Sequence, residues 1–324
     1  MTEPIPSRYG VLLLNMGGPG SLDEVEQYIY SLLADPDMIR LPLGWLLQKP
    51  FARMVSRRRA PKVQKRYELI GGKSPIGPTT DKQARLLEQQ LDIPVDFAMR
   101  YTPPTCADAL GRLTGQGCTR FIAIPLYPQY STVSTLSSVK DLRAQSDGRE
   151  FRVVERHSAN GDYIRAMQEQ LSAVLAQTDG SLHTRVLFAA HSIPEAYIQR
   201  GDPYAKQIER TAADIIGGIA DAPRHSLAYQ SQVGPVKWRG PTLEEALTEM
   251  VGAGVEQLVV QPLSFVSENL ETLYDLDIVF REQCAKAGIR RYHRVPALND
   301  SLLYVRALAG IVRAEISSWE AADA

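Results

Sequence analysis

The sequence predicts an α/β fold of two similar doubly wound, Rossmann-like domains, each a four-stranded parallel sheet flanked by helices, with a ligand cleft between them. Three observations carry this prediction. Short apolar runs alternate with amphipathic stretches of helical length, the pattern of parallel sheets covered on both faces. The segment "ADALGRLTGQGCTRFIAIPL" from Ala107 aligns without gaps on "EEALTEMVGAGVEQLVVQPL" from Glu244, which marks a repeated helix, glycine turn and strand. A chain of 324 residues with 44% hydrophobic content has the length of about two domains and enough apolar residues to build a core in each.

In chain order, the strands of the first half are "GVLLLN", "VDFAMR", "RFIAIPL" and "FRVVE". Those of the second half are "RVLFAAHS", "SLAYQS", "QLVVQPL" and "RRYHRV". No low-complexity linker separates the halves, so the strand count sets the division at residues 1–160 and 161–324, with the last helix packing back on the first domain. A looser echo sets "LLLNMGGP" beside "LFAAHSIP", with Met16 opposite His191.

The loop "NMGGPGS" after the first strand raises a phosphate-loop reading, because glycines between strand and helix let backbone N–H groups approach an anion. It lacks G-x-G-x-x-G and G-K-[ST], and Pro19 removes a donor, so a tight strand-to-helix turn is favoured. Next, "IRLPLGWLLQKPFARMVSRRRAPK" sets Leu41, Leu43, Trp45, Leu46, Leu47, Phe51, Met54 and Val55 ahead of Arg57, Arg58, Arg59 and Lys62. Such an apolar lip, about residues 39–60, suits a lipid headgroup boundary or the cover of a large flat apolar ligand. Core packing is the default for its leucines. The arginines favour an anion, since guanidinium forks pair with carboxylates.

In open parallel sheets, ligands bind beyond the carboxyl ends of the strands. His191 ends "RVLFAA", and "QLVVQPL" runs directly into "VSENLETLYDLD", Val266 to Asp277, so both are expected at one crevice. If that stretch is an α-helix, Glu268, Glu271 and Asp275 fall at i, i+3 and i+7 and share a face, while Asp277 points elsewhere. Ser131 and Ser134 occupy the matching positions of the first half, so the acids belong to one half only. An imidazole with one or two carboxylates and no thiolate suits a first-row divalent metal such as iron, loosely held, and the imidazole also takes up protons near neutral pH. The plain alternatives are a hydrogen-bonded strand-end histidine and first-turn acids that complement the helix dipole.

Thirty-six basic and 37 acidic residues leave a formal charge of −1, so no overall pull toward nucleic acid is implied. The start "MTEPIPSRYG" lacks the features of a signal peptide, and no run of about 18 apolar residues is present, so a cytoplasmic location is expected. Cys106, Cys118 and Cys284 are odd in number, far apart and without C-x-x-C, which favours buried small hydrophobes over a disulfide framework or a cluster motif.

Over about residues 9 to 316 the sequence resembles the ferrochelatases, the family that inserts ferrous iron into a porphyrin to make haem. The resemblance rests on "LLLNMGGP", "SRRRAPKVQKRYELIGGKSPI", "AMRYTPP", "IPLYPQYS", "AAHSIP", "RGDPY", "YQSQVGPVKW" and "SENLETLYDLDI", in family order. It implies that His191 is the active-site histidine, accepting pyrrole protons and transiently binding iron. Glu271 is implied as the opposing glutamate that delivers iron or relays protons, supported by an acidic wall of Glu268 and Asp275. Met16 then contacts the ring, Arg59, Tyr67 and Ser74 lie near the propionates and pocket mouth, and Arg100, Tyr101 and Trp238 line the pocket. Gripping the ring between these walls would bend it out of plane.

The implied substrates are protoporphyrin IX and Fe²⁺, for the terminal step of haem biosynthesis, with no permanently bound cofactor. Implied partners are the inner face of the cell membrane, touched through the lip, and the preceding oxidase of the pathway. The chain departs from the family at Asn269, where many members have His, and at Tyr229, where the family has Trp. Thr132 stands where animal-type members have a cluster cysteine, and the C-terminal extension is lacking after Ala324, so no [2Fe–2S] cluster is expected. Met16 and the lip favour protoporphyrin over coproporphyrin III. Further readings are a cobalt or sirohydrochlorin chelatase, a non-catalytic tetrapyrrole carrier, which the pairing of His191 with Glu271 disfavours, and a two-domain nucleotide binder.

Overall fold

The computed structural model describes residues 8–38, 43–232, 234 and 236–324. Leu41 and the rest of 39–42 in the lip, the Trp45 side chain, and Val233 and Pro235 of "YQSQVGPVKW" lie outside the described residues. Two compact units are formed, one running to His157 and including Val305–Ala324, the other Ser158–Tyr304.

The first unit comprises β1 (Tyr9–Asn15), α1 (Val25–Ala34), α2 (Gly44–Glu68), α3 (Ile76–Leu91), β2 (Val95–Met99), α4 (Cys106–Gly115), β3 (Arg120–Pro125), α5 (Thr135–Gln145) and β4 (Glu150–Val153). The second comprises α6 (Gly161–Leu175), β5 (Thr184–His191), α7 (Glu195–Gln199), α8 (Tyr204–Gly217), β6 (His225–Gln230), α9 (Leu243–Gly252), β7 (Gln257–Pro262), a π-helix (Glu271–Phe280), α10 (Arg281–Lys286) and β8 (Arg291–Arg294). The last helix, α11 (Leu302–Asp323), starts in the second unit and belongs mostly to the first. There Trp319 meets Tyr9 edge-to-face at 5.9 Å, beneath the guanidinium groups of Arg120 and Arg152.

Both sheets are parallel and have one topology, β2-β1-β3-β4 and β6-β5-β7-β8. All seven residues of β1 are buried, which is why its sequence is an unbroken apolar run rather than an alternation. The internal repeat survives in atomic detail. Thr105 with Asp108 and Thr242 with Glu245 form reciprocal capping boxes at the starts of α4 and α9. The turns that follow use Gly117 (φ +90°) and Gly254 (φ +76°). Leu14 then pairs with Pro125, and Ala189 with Pro262, so the echo that sets Met16 opposite His191 is a true structural register.

The loop after β1 is a turn held by close packing. A Cβ on Gly17 would lie 2.3 Å from Thr102 Oγ1, and one on Gly18 would lie 2.3 Å from Ser74 Oγ. The leucines of the lip depart from the core-packing default: Leu43, Leu46 and Leu47 are 64%, 57% and 46% exposed, with Met54 at 64%. All three cysteines are buried. Among the described residues no helix is long and apolar enough to cross a membrane.

Candidate active site

The second unit sets His191 at the carboxyl end of β5. Along that strand Leu187 and Ala189 face a core shared with Ala228, Val260 and, from the π-helix, Leu276 and Phe280. Side chains alternate along a strand, so His191 leaves the same sheet face. Its main chain is fixed on both sides: the N–H donates to Ser264 Oγ at 2.8 Å, and the carbonyl accepts from the Tyr204 hydroxyl at 2.8 Å. Tyr204 comes from the "RGDPY" segment, where Asp202 Oδ1 accepts its N–H at 2.9 Å. The residues after His191 are stitched to the Trp238 segment, with Glu195 N–H on Lys237 O at 2.9 Å and Arg239 N–H on Ile193 O at 3.0 Å. The imidazole meets Phe265 edge-on at 5.9 Å, and its Nδ1 is buried without a partner. Desolvation pulls its pKa down to about 4, so at neutral pH it is uncharged and keeps a lone pair for a proton or a metal.

The acidic stretch is not the α-helix its spacing suggests. Glu268 lies ahead of the helix, and Glu271 to Phe280 wind as a π-helix, a form that concentrates at functional sites. Glu268 therefore does not share a helix face with Glu271 and Asp275, which remain one turn apart on the π-helix, and Asp277 does not point away from Glu268. Both converge on Arg294 of β8, with Arg294 Nη1 to Glu268 Oε1 at 2.8 Å and Arg294 Nη2 to Asp277 Oδ2 at 2.7 Å. Glu268 also accepts the Ala297 N–H at 3.0 Å and the Thr272 hydroxyl, so both of its oxygens are occupied. Glu271 and Asp275 stand half-buried on the π-helix. Among the described residues no three His, Cys, Asp or Glu side chains are grouped to hold one metal ion.

Asn269 caps this helix. Its Oδ1 accepts the Thr272 N–H at 2.9 Å, and its own N–H donates to Thr272 Oγ1 at 3.0 Å, a reciprocal pairing for which a short amide side chain is well suited. The side chain is 3% exposed and serves the helix start.

In the first unit, Met16, Arg100 and Tyr101 are joined at the carboxyl ends of β1 and β2: Arg100 N–H donates to Asn15 O at 2.8 Å and Tyr101 N–H to Met16 O at 3.1 Å. Asp35, at the end of α1, organises them. Its Oδ2 accepts from Arg100 Nη2, the Tyr101 hydroxyl and the Ser137 hydroxyl, each at 2.8 Å, and Arg100 also approaches Asp141 at 3.4 Å. Burial opposes ionisation of Asp35, but the Asp37 N–H, the two hydroxyls and the Arg100 charge outweigh it and hold its pKa below the usual carboxylate range. Ser74 is buried against Gly18, its hydroxyl accepting the Ile76 N–H at 3.3 Å, and Tyr67 is buried at the end of α2. Arg59 is exposed on α2.

Replacing Asp35 with Asn is expected to destabilise the protein by about 2–4 kcal/mol at neutral pH, because the half-buried Arg100 loses its main counter-charge. A depressed carboxylate pKa contributes stability that is present above the unfolded value of 3.8 and lost as pH falls through the folded value. The gap between the two proteins should therefore close below that value, as read by urea unfolding across pH.

The sequence model of the ferrochelatase family matches residues 8–316. The chain belongs to the ferrochelatase family. The ferrochelatase of Synechococcus sp. (strain JA-3-3Ab) is 42% identical over 319 residues, 95% of this chain and 93% of that relative. The ferrochelatase of Geotalea uraniireducens (strain Rf4) is 39% identical over 321 residues, 97% of this chain and the whole of that relative. Among solved structures, SirB from Bacillus subtilis with Fe³⁺ has a TM-score of 0.57 at 11% identity, covering 97% of this chain and 98% of its own. CbiX, described as the terminal enzyme for biosynthesis of siroheme in denitrifying bacteria, scores 0.53 at 15% identity and covers 94% and 98%. At such identities the likeness shows the two-domain chelatase fold alone. As a ferrochelatase the chain is a porphyrin metal chelatase, a lyase whose substrates are a porphyrin and ferrous iron.

Several residues that hold the candidate side chains within each unit escape sequence reasoning. In the first unit Asp35 holds Arg100, and in the second Arg294 holds Glu268 while Ser264 and Tyr204 hold His191, through pairings 13 to 73 positions apart in sequence. The "RGDPY" motif was the only advance signal, and it carried no role.

Proposed function

We propose that this chain inserts Fe²⁺ into protoporphyrin IX to form protohaem, the terminal step of haem biosynthesis. The observation that carries the reading is the uncharged, strand-end imidazole of His191, on the sheet face packed by the π-helix that begins at Glu271. Metallation removes two pyrrole N–H protons and exchanges the waters of Fe²⁺ for ring nitrogens, so a base and a weak metal site must lie close together. His191 accepts protons and holds iron transiently. Glu271, with Asp275, delivers iron or relays protons. Glu268 supports them from its ion pair with Arg294 rather than as a free acid. Met16 contacts the ring, Arg59, Tyr67 and Ser74 serve the propionate side, and Arg100, Tyr101 and Trp238 line the pocket.

The exposed Leu43, Leu46, Leu47 and Met54 support protoporphyrin, whose vinyl groups replace two of the carboxylates of coproporphyrin. Beside exposed Arg57, Arg58 and Arg59, they also support peripheral contact with the inner face of the cell membrane, where the preceding oxidase would hand over its product. The test is an anaerobic insertion assay with Fe²⁺ and either protoporphyrin IX or coproporphyrin III. Faster turnover of protoporphyrin is expected. Preference for coproporphyrin would overturn the substrate, and metallation of neither would overturn the reaction.

A further inference from the structure

The carboxyl edge of the second sheet holds polar groups that the reaction above leaves unused. Gln230 ends β6 and is 5% exposed, yet neither its Oε1 nor its Nε2 has a hydrogen-bond partner. Among the described residues it is the one side-chain amide with both atoms buried and unpaired; Gln170 and Gln261 each use Nε2, on Ala297 O and Met167 O. An unpaired buried amide destabilises a fold, so one is retained where function needs it. Ser231, the next residue, adds strain. It holds φ at +67°, rarely adopted by a residue with a side chain, and its Oγ is also buried and unpaired.

Strand register identifies the neighbour. Gln230 pairs with His191 in the β5–β6 ladder, and Ser192 N–H donates to Gln230 O at 2.8 Å. Register partners project from the same sheet face, on strands about 4.8 Å apart. His191 Nδ1 is buried and unpaired beside it. With the His191 main chain fixed by Ser264 and Tyr204, the two side chains are what can adjust.

We propose that Gln230 is a positioning residue for His191: its amide oxygen takes the Nδ1–H, by a side-chain rotation or through one water, and so reserves the Nε2 lone pair for the substrate. A neutral imidazole that donates from Nδ1 can accept a proton only at Nε2. The inference rests on the reading of His191 as proton acceptor.

The test is Gln230→Met in the full chain, a near-isosteric change that removes the amide. Three readouts are followed: turnover, the thermal midpoint, and the ¹⁵N shifts of the His191 ring measured without iron or porphyrin. Turnover should fall at least about tenfold, with both KM values held within about threefold. The midpoint should fall by no more than about 2–4 °C, the loss of about one hydrogen bond. The ring should move from the Nδ1–H tautomer toward a mixture. Gln230→Asn keeps a neutral amide oxygen, one methylene farther from the ring, and should retain turnover at least about tenfold above that of His191→Ala; it carries the test alone if Gln230→Met does not fold, and a loss as large as for His191→Ala would then overturn the proposal. A lowered midpoint with an unchanged tautomer would make Gln230 a structural group, and unchanged turnover in Gln230→Met would equally overturn its role. Because the tautomer is read without substrates, a protein inert toward every porphyrin would still report whether Gln230 holds His191, which separates this failure from that of the proposed reaction.

Discussion

Replacing His191 with alanine is expected to lower the turnover of iron insertion by about three orders of magnitude, the middle of the range that a positioned proton acceptor supplies. The fold should survive. The contacts that fix this position run through its main chain, to Ser264 and Tyr204, and an alanine keeps them. The imidazole's own contact with the protein is the edge-on packing against Phe265. Turnover within tenfold of the unaltered protein would refute the assignment.

The same variant carries a pH signature. The folded His191 pKa, about 4, lies below the unfolded value of 6.5, so the group contributes stability that is fully present above about 6.5 and lost as pH falls toward 4. His157, buried in the first unit, is pulled down to about 4 by the same desolvation and acts in the same direction. Between pH 7.5 and 5, His191→Ala should therefore lose less stability than the unaltered chain, while His157 keeps the loss from vanishing. Paired urea titrations at the two pH values measure this.

The fold was legible because parallel strands covered on both faces demand unbroken apolar runs, and each of the eight runs read from the sequence overlaps a strand. The repeat was legible because the same caps and glycine turns are needed twice. The position of His191 followed from the rule that ligands gather at carboxyl strand ends. What failed was the local geometry of the acidic stretch. A period of 3.6 was assumed where the chain winds wider, and the residue that draws Glu268 and Asp277 together lies on β8, which no local pattern announces. The lip leucines failed for the opposite reason. Hydrophobicity predicts burial, and here at least three of them are kept in solvent. Asp35 was invisible because an acid between α1 and a proline reads as a helix stop until Arg100 and Tyr101 are seen around it.

Arg294→Met is expected to destabilise the protein by about 3 kcal/mol, among the largest effects of any single change outside the apolar core. Arg294, Glu268 and Asp277 have side chains 10%, 13% and 24% exposed, so removing the guanidinium leaves Glu268 without its counter-charge and Asp277 with Arg281, at 3.6 Å, as its remaining ion pair, in a site from which water is mostly excluded. Arg294→Lys should recover only part, since an ammonium cannot fork to both acids at once. Neutralising the stranded acids in the same chain, as Glu268→Gln with Asp277→Asn, should restore most of the loss, which a mere packing defect at Arg294 would not allow. The kinetic consequence follows from position. Glu268 and Asp277 bracket Glu271 and Asp275, so the arginine clips both ends of the segment that carries the proposed iron-handling acids. In Arg294→Met the KM for Fe²⁺ should rise about tenfold while the KM for porphyrin changes far less. Equal changes in both would mean that Arg294 supports the unit as a whole and not the acidic segment. A thermal midpoint unmoved in the single variant would show that the ion pairs merely offset their own desolvation.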